Sequence, residues 1–272
     1  MAATLFWHER ASEHITRIRT PFNVCAYLVE GERRAVLLDT GYGVGSLKAY
    51  VEGLTALPYD VLLSHGHLDH VGGAGEFERA YLNERDWELG RAMSADVAGR
   101  RADVTRKSAG ALPEGVREED FIPPYTEPFE PLDEGMVWDL GGVRVEALAC
   151  PGHTAGSLIF LVQPDRVALF GDSCGEHTLL LFEESSSVAT YAGALRRVQE
   201  REAEFDLVLR NHGTGESEKR ILADNLALCQ DILAGRDARV PVSIRGVQGF
   251  MGREDPHPGT CGNILYRPDR LR

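Results

Sequence analysis

The sequence lacks long apolar runs and an excess of positive charge. No stretch approaches the roughly 18 apolar residues of a membrane-spanning helix, and residues 1–30 have no apolar core of the signal-peptide type. We therefore expect a cytoplasmic protein with no membrane partner. With 29 Lys and Arg against 42 Asp and Glu, the formal net charge is -13, which repels the phosphates of nucleic acids. Nucleic acid is not an expected partner.

Cysteine is scarce, and its spacing excludes two classes of small stabilised domain. The five cysteines contain no C-x-x-C pair, so they match neither a disulfide framework nor a cysteine-based zinc site. Most of them are expected to be small buried apolar side chains. They are Cys25, Cys150, Cys174, Cys229 and Cys261.

The composition and the apolar patterns of the sequence indicate one α/β domain over residues 1–272. Hydrophobic residues make up 43% and charged residues 26%, as in ordinary globular proteins. Short β-rich runs predict strands, and one-sided apolar spacing predicts helices. The strands and helices follow one another along the chain in an order that favours layered sheets with helices on their outer faces. The predicted strands are 23–30, 35–39, 59–64, 143–149, 158–162, 167–170 and 207–209, and the predicted helices are 44–54, 188–198 and 221–232.

Four potential metal ligands occupy six consecutive residues directly after the apolar run DVLLS. They are His65, His67, Asp69 and His70. A single histidine is usually a surface or core residue, whereas imidazoles and a carboxylate clustered in this way are typical of a metal site. On an extended backbone the first three would point one way and His70 the other, so the run could supply two adjacent metal positions.

This run resembles the signature of the metallo-β-lactamase superfamily, and the later family motifs follow in order. PGHTAGS around His153 resembles the third-histidine motif, FGDS around Asp172 the bridging-aspartate motif, and NHG around His212 the final histidine. The DTG turn that begins at Asp39 resembles the family's early Asp-Thr-Gly turn. The resemblance covers about residues 20–235.

The resemblance implies a four-layer αββα sandwich that holds two metal ions at one edge of its sheets. Zinc is expected, with iron and manganese as alternatives. Asp39 is expected to accept a hydrogen bond from a ligating histidine rather than to ligate. The implied ligands are His65, His67 and His153 for one ion and Asp69, His70 and His212 for the other, with Asp172 bridging.

The implied activity is hydrolysis of an ester, thioester, lactone or phosphoester bond of a small molecule by a metal-bound hydroxide. Asp69 is the implied proton carrier. Asp172 and the absence of an export signal favour a glyoxalase II-like or lactonase-like branch over exported lactamases. Two alternatives stay open: a persulfide dioxygenase with one iron at His65, His153 and Asp172, and a non-catalytic metal-binding module.

Residues 91–135 and 236–272 do not follow the strand and helix pattern. We predict that 91–135 is an irregular, proline-rich insertion that forms a lid over the metal site, and that 236–272 is a Gly/Pro-rich tail. Cys174 and His177 are expected either to pack ordinarily or to reach the pocket. Basic residues of the lid are either solvated surface or contacts for an anionic substrate, namely Arg91, Arg100, Arg101, Arg106 and Lys107.

Overall fold

A computed structural model describes residues 5–254 and 262–272 of the chain. The first half of the chain forms a seven-stranded sheet whose strands lie in sequence order. Its first four strands pair antiparallel, and the remaining strands pair parallel. The strands are β1 (Trp7–Arg10), β2 (Ile15–Thr20), β3 (Val24–Glu30), β4 (Ala35–Leu38), β5 (Tyr59–Leu62), β6 (Tyr81–Leu82) and β7 (Glu130–Pro131).

The second half of the chain supplies a six-stranded sheet and a smaller four-stranded sheet. The strands are β8 (Val137–Asp139), β9 (Arg144–Ala149), β10 (Leu158–Gln163), β11 (Val167–Gly171), β12 (Thr178–Leu180), β13 (Leu207–Arg210), β14 (Glu216–Ser217), β15 (Val240–Ile244), β16 (Val247–Met251) and β17 (Ile264–Tyr266). The six-stranded sheet has the order β14-β13-β11-β10-β9-β8. The four-stranded sheet has the order β12-β17-β16-β15.

The helices of the described residues are α1 (Leu47–Glu52), α2 (Leu68–Val71), α3 (Trp87–Ala95), α4 (Val97–Lys107), α5 (Val188–Glu200) and α6 (Ile221–Leu233). The last two confirm the sequence prediction. Helix α1 begins later than predicted because the side chain of Ser46 caps it by accepting a hydrogen bond from the Ala49 amide at 3.0 Å. Within residues 5–254 and 262–272, no helix has the length and apolar character that crossing a membrane requires.

Alternating side chains on the strands create the layers of the fold. On β10, Leu158 and Phe160 pack into the core between the two large sheets, whereas Ile159 and Leu161 pack against α5 and α6. Helix α1 and part of α3 cover the opposite face of the first sheet. The four-layer αββα sandwich expected from the sequence is confirmed.

The prediction that residues 91–135 are irregular is wrong for the first part of that segment. Helices α3 and α4 extend to Lys107, and the buried positions of α4 include Arg100, Asp103 and Val104. The Arg100 side chain is fully buried and donates hydrogen bonds to backbone carbonyl oxygens. Helix α4 lacks a clear apolar stripe because charged residues occupy most of its buried face, so its periodicity was not visible in the sequence.

The prediction of a tail at 236–272 is also wrong, since the described part forms β15, β16 and β17. Strands β15 and β16 form a hairpin whose two-residue tip, Arg245-Gly246, has positive φ angles of 50° and 83°. Such a tip suits the right-handed twist of the paired strands. The alternating Val240, Val242 and Ile244 before an X-Gly pair was the overlooked signal. Cys261 lies outside the described residues, and the other four cysteines are free and buried, as predicted.

Candidate metal centre

Loops after four strands carry the predicted metal ligands to one edge of the paired sheets. The loop after β5 continues into α2, and the other ligands follow β9, β11 and β13. Groups drawn from these residues have ligand atoms within 4.8 Å of one another. The residues that the structure brings together are His65, His67, Asp69, His70, His153, Asp172 and His212.

The first ligand run is not extended, contrary to the sequence prediction. The amides of His70 and Val71 donate to the carbonyl oxygen of His67 at 2.9 and 3.0 Å, which starts the short helix α2 immediately after His67. Asp69 and His70 therefore lie on a helical turn, where both come close to His212, whereas His65 and His67 come close to His153. His65 also lies close to His70 and Asp172, so the two groups adjoin.

Three imidazoles form the first group. The Nδ1 atom of His67 lies 3.1 Å from Nε2 of His65 and 2.9 Å from Nε2 of His153. Nitrogen ligands at about 2.0 to 2.1 Å around a tetrahedral zinc ion are separated by roughly 3.3 Å, so only small outward movements would admit an ion. Burial lowers the pKa of His65 and lowers that of His153 to about 4, which favours the neutral rings that bind metals.

The second group combines imidazoles with carboxylates. Asp69 Oδ2 lies 3.6 Å from Nε2 of His212, and Asp69 Oδ1 lies 3.9 Å from Nε2 of His70. Asp172 Oδ2 lies 3.1 Å from Nε2 of His212, 3.6 Å from that of His70 and 3.7 Å from that of His153. Asp172 therefore contacts both groups, as a bridging ligand would.

One buried atom of the second group lacks a hydrogen bond. Among the residues that the structure describes, no partner is found for Nε2 of His70, although buried polar atoms are normally satisfied. Burial opposes ionisation of Asp69, but His70 and His212 outweigh it and lower the pKa of Asp69 to about 2. Ionised carboxylates around an unsatisfied imidazole nitrogen fit a bound cation.

The chain matches a known protein family over most of its length. The family model of the metallo-beta-lactamase superfamily matches residues 19–206. The chain belongs to the metallo-beta-lactamase superfamily. Solved members with the same fold include a metallo-beta-lactamase from Pontibacter korlensis (TM-score 0.58, 15% identity, covering 83% of this chain and 99% of that chain). Another is a family protein from Thermus thermophilus (TM-score 0.55, 21% identity, covering 85% and 81%). At these identities the two structures show the fold alone.

Two curated members of the superfamily carry names of hydrolases. The acyl-coenzyme A thioesterase MBLAC2 of Bos taurus is 28% identical over 188 residues, which cover 64% of this chain and 66% of that protein. The hydroxyacylglutathione hydrolase GloC of Haemophilus influenzae is 29% identical over 158 residues, which cover 54% and 65%. The chain thus covers slightly less than two thirds of the length of these relatives.

Asp39, the first residue of the DTG turn, contacts the ring nitrogen of His70 that faces away from the metal centre. It has a positive φ of 64°, and its Oδ2 lies 3.0 Å from Nδ1 of His70. The carboxylate also accepts hydrogen bonds from the amide and hydroxyl of Ser64, each at 2.7 Å, and from Asn211 Nδ2 at 2.6 Å. Asp39 therefore orients an imidazole, as the sequence predicted.

Other supports were missed by sequence reasoning. Glu184 Oε1 lies 2.8 Å from Nε2 of His67, and the carbonyl oxygen of Leu179 lies 2.9 Å from Nδ1 of His153. Contacts of this kind set the tautomer and orientation of ligating rings. Glu184 belongs to no motif, and a backbone carbonyl has no sequence signature, so neither contact could be found from the residues alone.

A buried carboxylate, that of Asp86, joins two ligand loops. It accepts hydrogen bonds from the amides of Gly66 at 2.9 Å and Gly156 at 2.8 Å, and from the Thr154 hydroxyl at 2.6 Å. Gly66 lies between His65 and His67, while Thr154 directly follows the third histidine. Asp86 therefore couples loops that are far apart in the sequence, and no motif indicated it.

A cavity of about 570 Å³ opens beside the centre, a size suited to a small-molecule ligand. Apolar side chains from separate elements form much of its wall: Leu68, Met93, Leu179, Phe182, Ile244 and Val247. His177 also lines it, whereas Cys174 packs in the core around α5 and α6.

Of the five basic residues noted in the sequence, two line the cavity and three do not. Arg106 and Lys107 line the cavity, and Arg245, which the sequence did not single out, joins them. Arg100 is fully buried, donates to backbone carbonyls and does not line the cavity, so it is neither solvated surface nor a substrate contact. Arg101 instead pairs with Glu118 at 2.6 Å. Arg91 does not line the cavity, and its guanidinium lies over the Trp87 ring, 6.0 Å from the ring centre.

Proposed function

We propose that this chain is a metal-dependent hydrolase that cleaves a thioester or a related ester of a small molecule. The observation that carries the proposal is the convergence of seven imidazole and carboxylate side chains beside a cavity of ligand size. Two relatives named as a thioesterase and as a hydroxyacylglutathione hydrolase support the reaction class and make thioesters the first substrates to test. Fold similarity alone would not choose a reaction.

We further propose two zinc ions per chain, with iron or manganese as alternatives. Nitrogen and carboxylate oxygen donors suit all three metals. The ligands would be His65, His67 and His153 for one ion and Asp69, His70 and His212 for the other, with Asp172 between them. Bound there, the metals would supply a Lewis acid that lowers the pKa of a water molecule and polarises the substrate carbonyl.

The protein's own residues would position the reactants. Asp69 presents carboxylate oxygens beside His70 and His212 that can orient a water molecule and accept its proton. Leu179 and Phe182 provide apolar wall that can hold an acyl chain and exclude bulk water. Glu184 and Asp39 keep two of the imidazoles oriented through their second ring nitrogens.

A substrate panel on metal-analysed protein tests the proposal. Protein purified without chelator should hydrolyse thioesters faster than lactones or phosphodiesters, should lose activity with chelator and should regain it with zinc. His153→Ala should abolish turnover, whereas His8→Ala, which removes an exposed histidine remote from the cavity, should not. Full activity in metal-free protein would overturn the proposal, and oxygen uptake with sulfur substrates would support the dioxygenase instead.

A further inference from the structure

A cluster of basic side chains lies at the cavity around one mostly buried carboxylate. Arg106 and Arg245 donate hydrogen bonds to Asp103, the latter at 3.1 and 3.2 Å to its two oxygens. Tyr42 donates its hydroxyl to the same carboxylate at 2.7 Å. These contacts hold the tip of the β15–β16 hairpin against α4. They also concentrate positive charge at the cavity of a protein whose net charge is -13.

Lys107 differs from the two arginines because its ammonium group is not committed to a hydrogen bond. Its Nζ atom lies 3.9 Å from both Asp69 Oδ2 and Asp103 Oδ2, beyond hydrogen-bond distance. Among residues 5–254 and 262–272, no hydrogen bond from Nζ is found. The side chain is 30% exposed, and Nζ lies 4.9 Å from the centre of the Tyr42 ring. Its N–H groups are therefore available to a molecule in the cavity.

The position of Lys107 restricts where an anionic group would bind. Asp69 is a proposed metal ligand, so a group held by Lys107 lies within a few bonds of the atom under attack. A metal ion on Asp69 would also compete with the ammonium group for that carboxylate. Lys107 would then be left with Asp103, whose charge Arg106 and Arg245 already share.

We propose that Lys107 binds a carboxylate of the substrate close to the scissile bond, so that the preferred substrates are thioesters or esters whose acyl part ends in a carboxylate. The inference rests on the hydrolase function proposed above. Arg106 and Arg245 line the same cavity and donate to Asp103, whereas Lys107 is the one of these three basic side chains whose nitrogen lies within 4 Å of Asp69. Apolar side chains of the cavity wall, such as Leu179, can accommodate the carbon chain of the acyl group.

The test compares the succinyl and butyryl thioesters of N-acetylcysteamine. Both have the same neutral leaving group, and only the succinyl group ends in a carboxylate. With metal-loaded protein, wild type should prefer the succinyl thioester. Lys107→Met should lower the ratio of the two kcat/KM values about tenfold to a hundredfold, mainly through KM, since a charge-assisted contact is lost. Lys107→Arg should keep the preference. Arg101→Met removes a charge from the same helix away from the cavity and should change neither rate.

An unchanged succinyl-to-butyryl ratio in Lys107→Met would overturn the proposal. The proposal would also be overturned if Lys107→Met lost a wild-type preference for butyryl-coenzyme A over butyryl-N-acetylcysteamine. That result would place the anion that Lys107 binds in the leaving group. If wild type hydrolyses neither thioester, the hydrolase function fails separately. Lys107 is then judged by calorimetric binding of the half-amide of succinate and of butyramide, where equal binding to wild type and Lys107→Met would overturn its role.

Discussion

Replacing Asp86 by alanine should weaken both the fold and metal binding, although Asp86 is not a ligand. Its carboxylate accepts three hydrogen bonds, from the amides of Gly66 and Gly156 and from the hydroxyl of Thr154. Without it, two ligand loops lose their common anchor. The amides of Gly66 and Gly156 are buried with the carboxylate and would be left without an acceptor, whereas the Thr154 hydroxyl would keep its contact with Ser157 Oγ at 2.7 Å.

The expected loss of stability in Asp86→Ala is the difference between two opposing contributions. Hydrogen bonds to a charged group stabilise by about 1.5 to 3 kcal/mol each, which would give a large total for three. Burial of the carboxylate acts the other way, as shown by the raised pKa of Asp86, and its removal recovers that cost. We therefore expect Asp86→Ala to lower the free energy of unfolding by about 2 to 4 kcal/mol. Loss of such an outer contact typically weakens metal binding by about 10- to 100-fold.

Urea denaturation and chelator competition measure the two effects. Metal-loaded Asp86→Ala should unfold at a lower urea concentration and should release metal at a lower chelator concentration than wild type. Thr154→Val removes one of the three donors and should have a smaller effect on stability, about 1.5 kcal/mol. Glu84→Ala serves as the control, because it removes an exposed carboxylate from the 3-10 turn Glu84–Asp86 that also contains Asp86.

A result in which Asp86→Ala matches Glu84→Ala in both measurements would refute the reasoning, because the loops would then hold their positions without this anchor. If Asp86→Ala lost stability but kept its metal affinity, only the proposed effect of Asp86 on the metal centre would be refuted.

Three further predictions follow from the same geometry. Plasma emission spectrometry should find two metal ions per chain, and a value near one after metal is supplied would contradict the dinuclear centre. Asp69→Asn should reduce turnover by more than it reduces metal content, whereas a proportional loss would reject a separate proton-carrying role. Arg100→Met should lower the free energy of unfolding by about 2 to 4 kcal/mol in urea titrations, since buried carbonyl oxygens lose their donor. Wild-type stability in that variant would contradict its structural role.

The sequence alone was sufficient for the family, the layered fold and the candidate ligands. The cluster from His65 to His70 lies within one loop, and each later motif around His153, Asp172 or His212 is a short local pattern. The strands that carry these motifs have strong apolar runs, so their positions followed from local composition. That the seven side chains meet at one edge of the sheets came from the family resemblance, and the structure brings them together.

Tertiary structure decided what surrounds those ligands. Asp86 joins loops distant in the sequence, Asp103 meets Arg245 across 142 residues, and the Arg100 guanidinium occupies a core position that sequence rules reserve for apolar residues. Each contact depends on where distant backbone amides, carbonyls and charges come to lie after folding. Local composition and periodicity carry no information about those positions, and for that reason the contacts of Asp86, Asp103 and Lys107 emerged only from the folded chain.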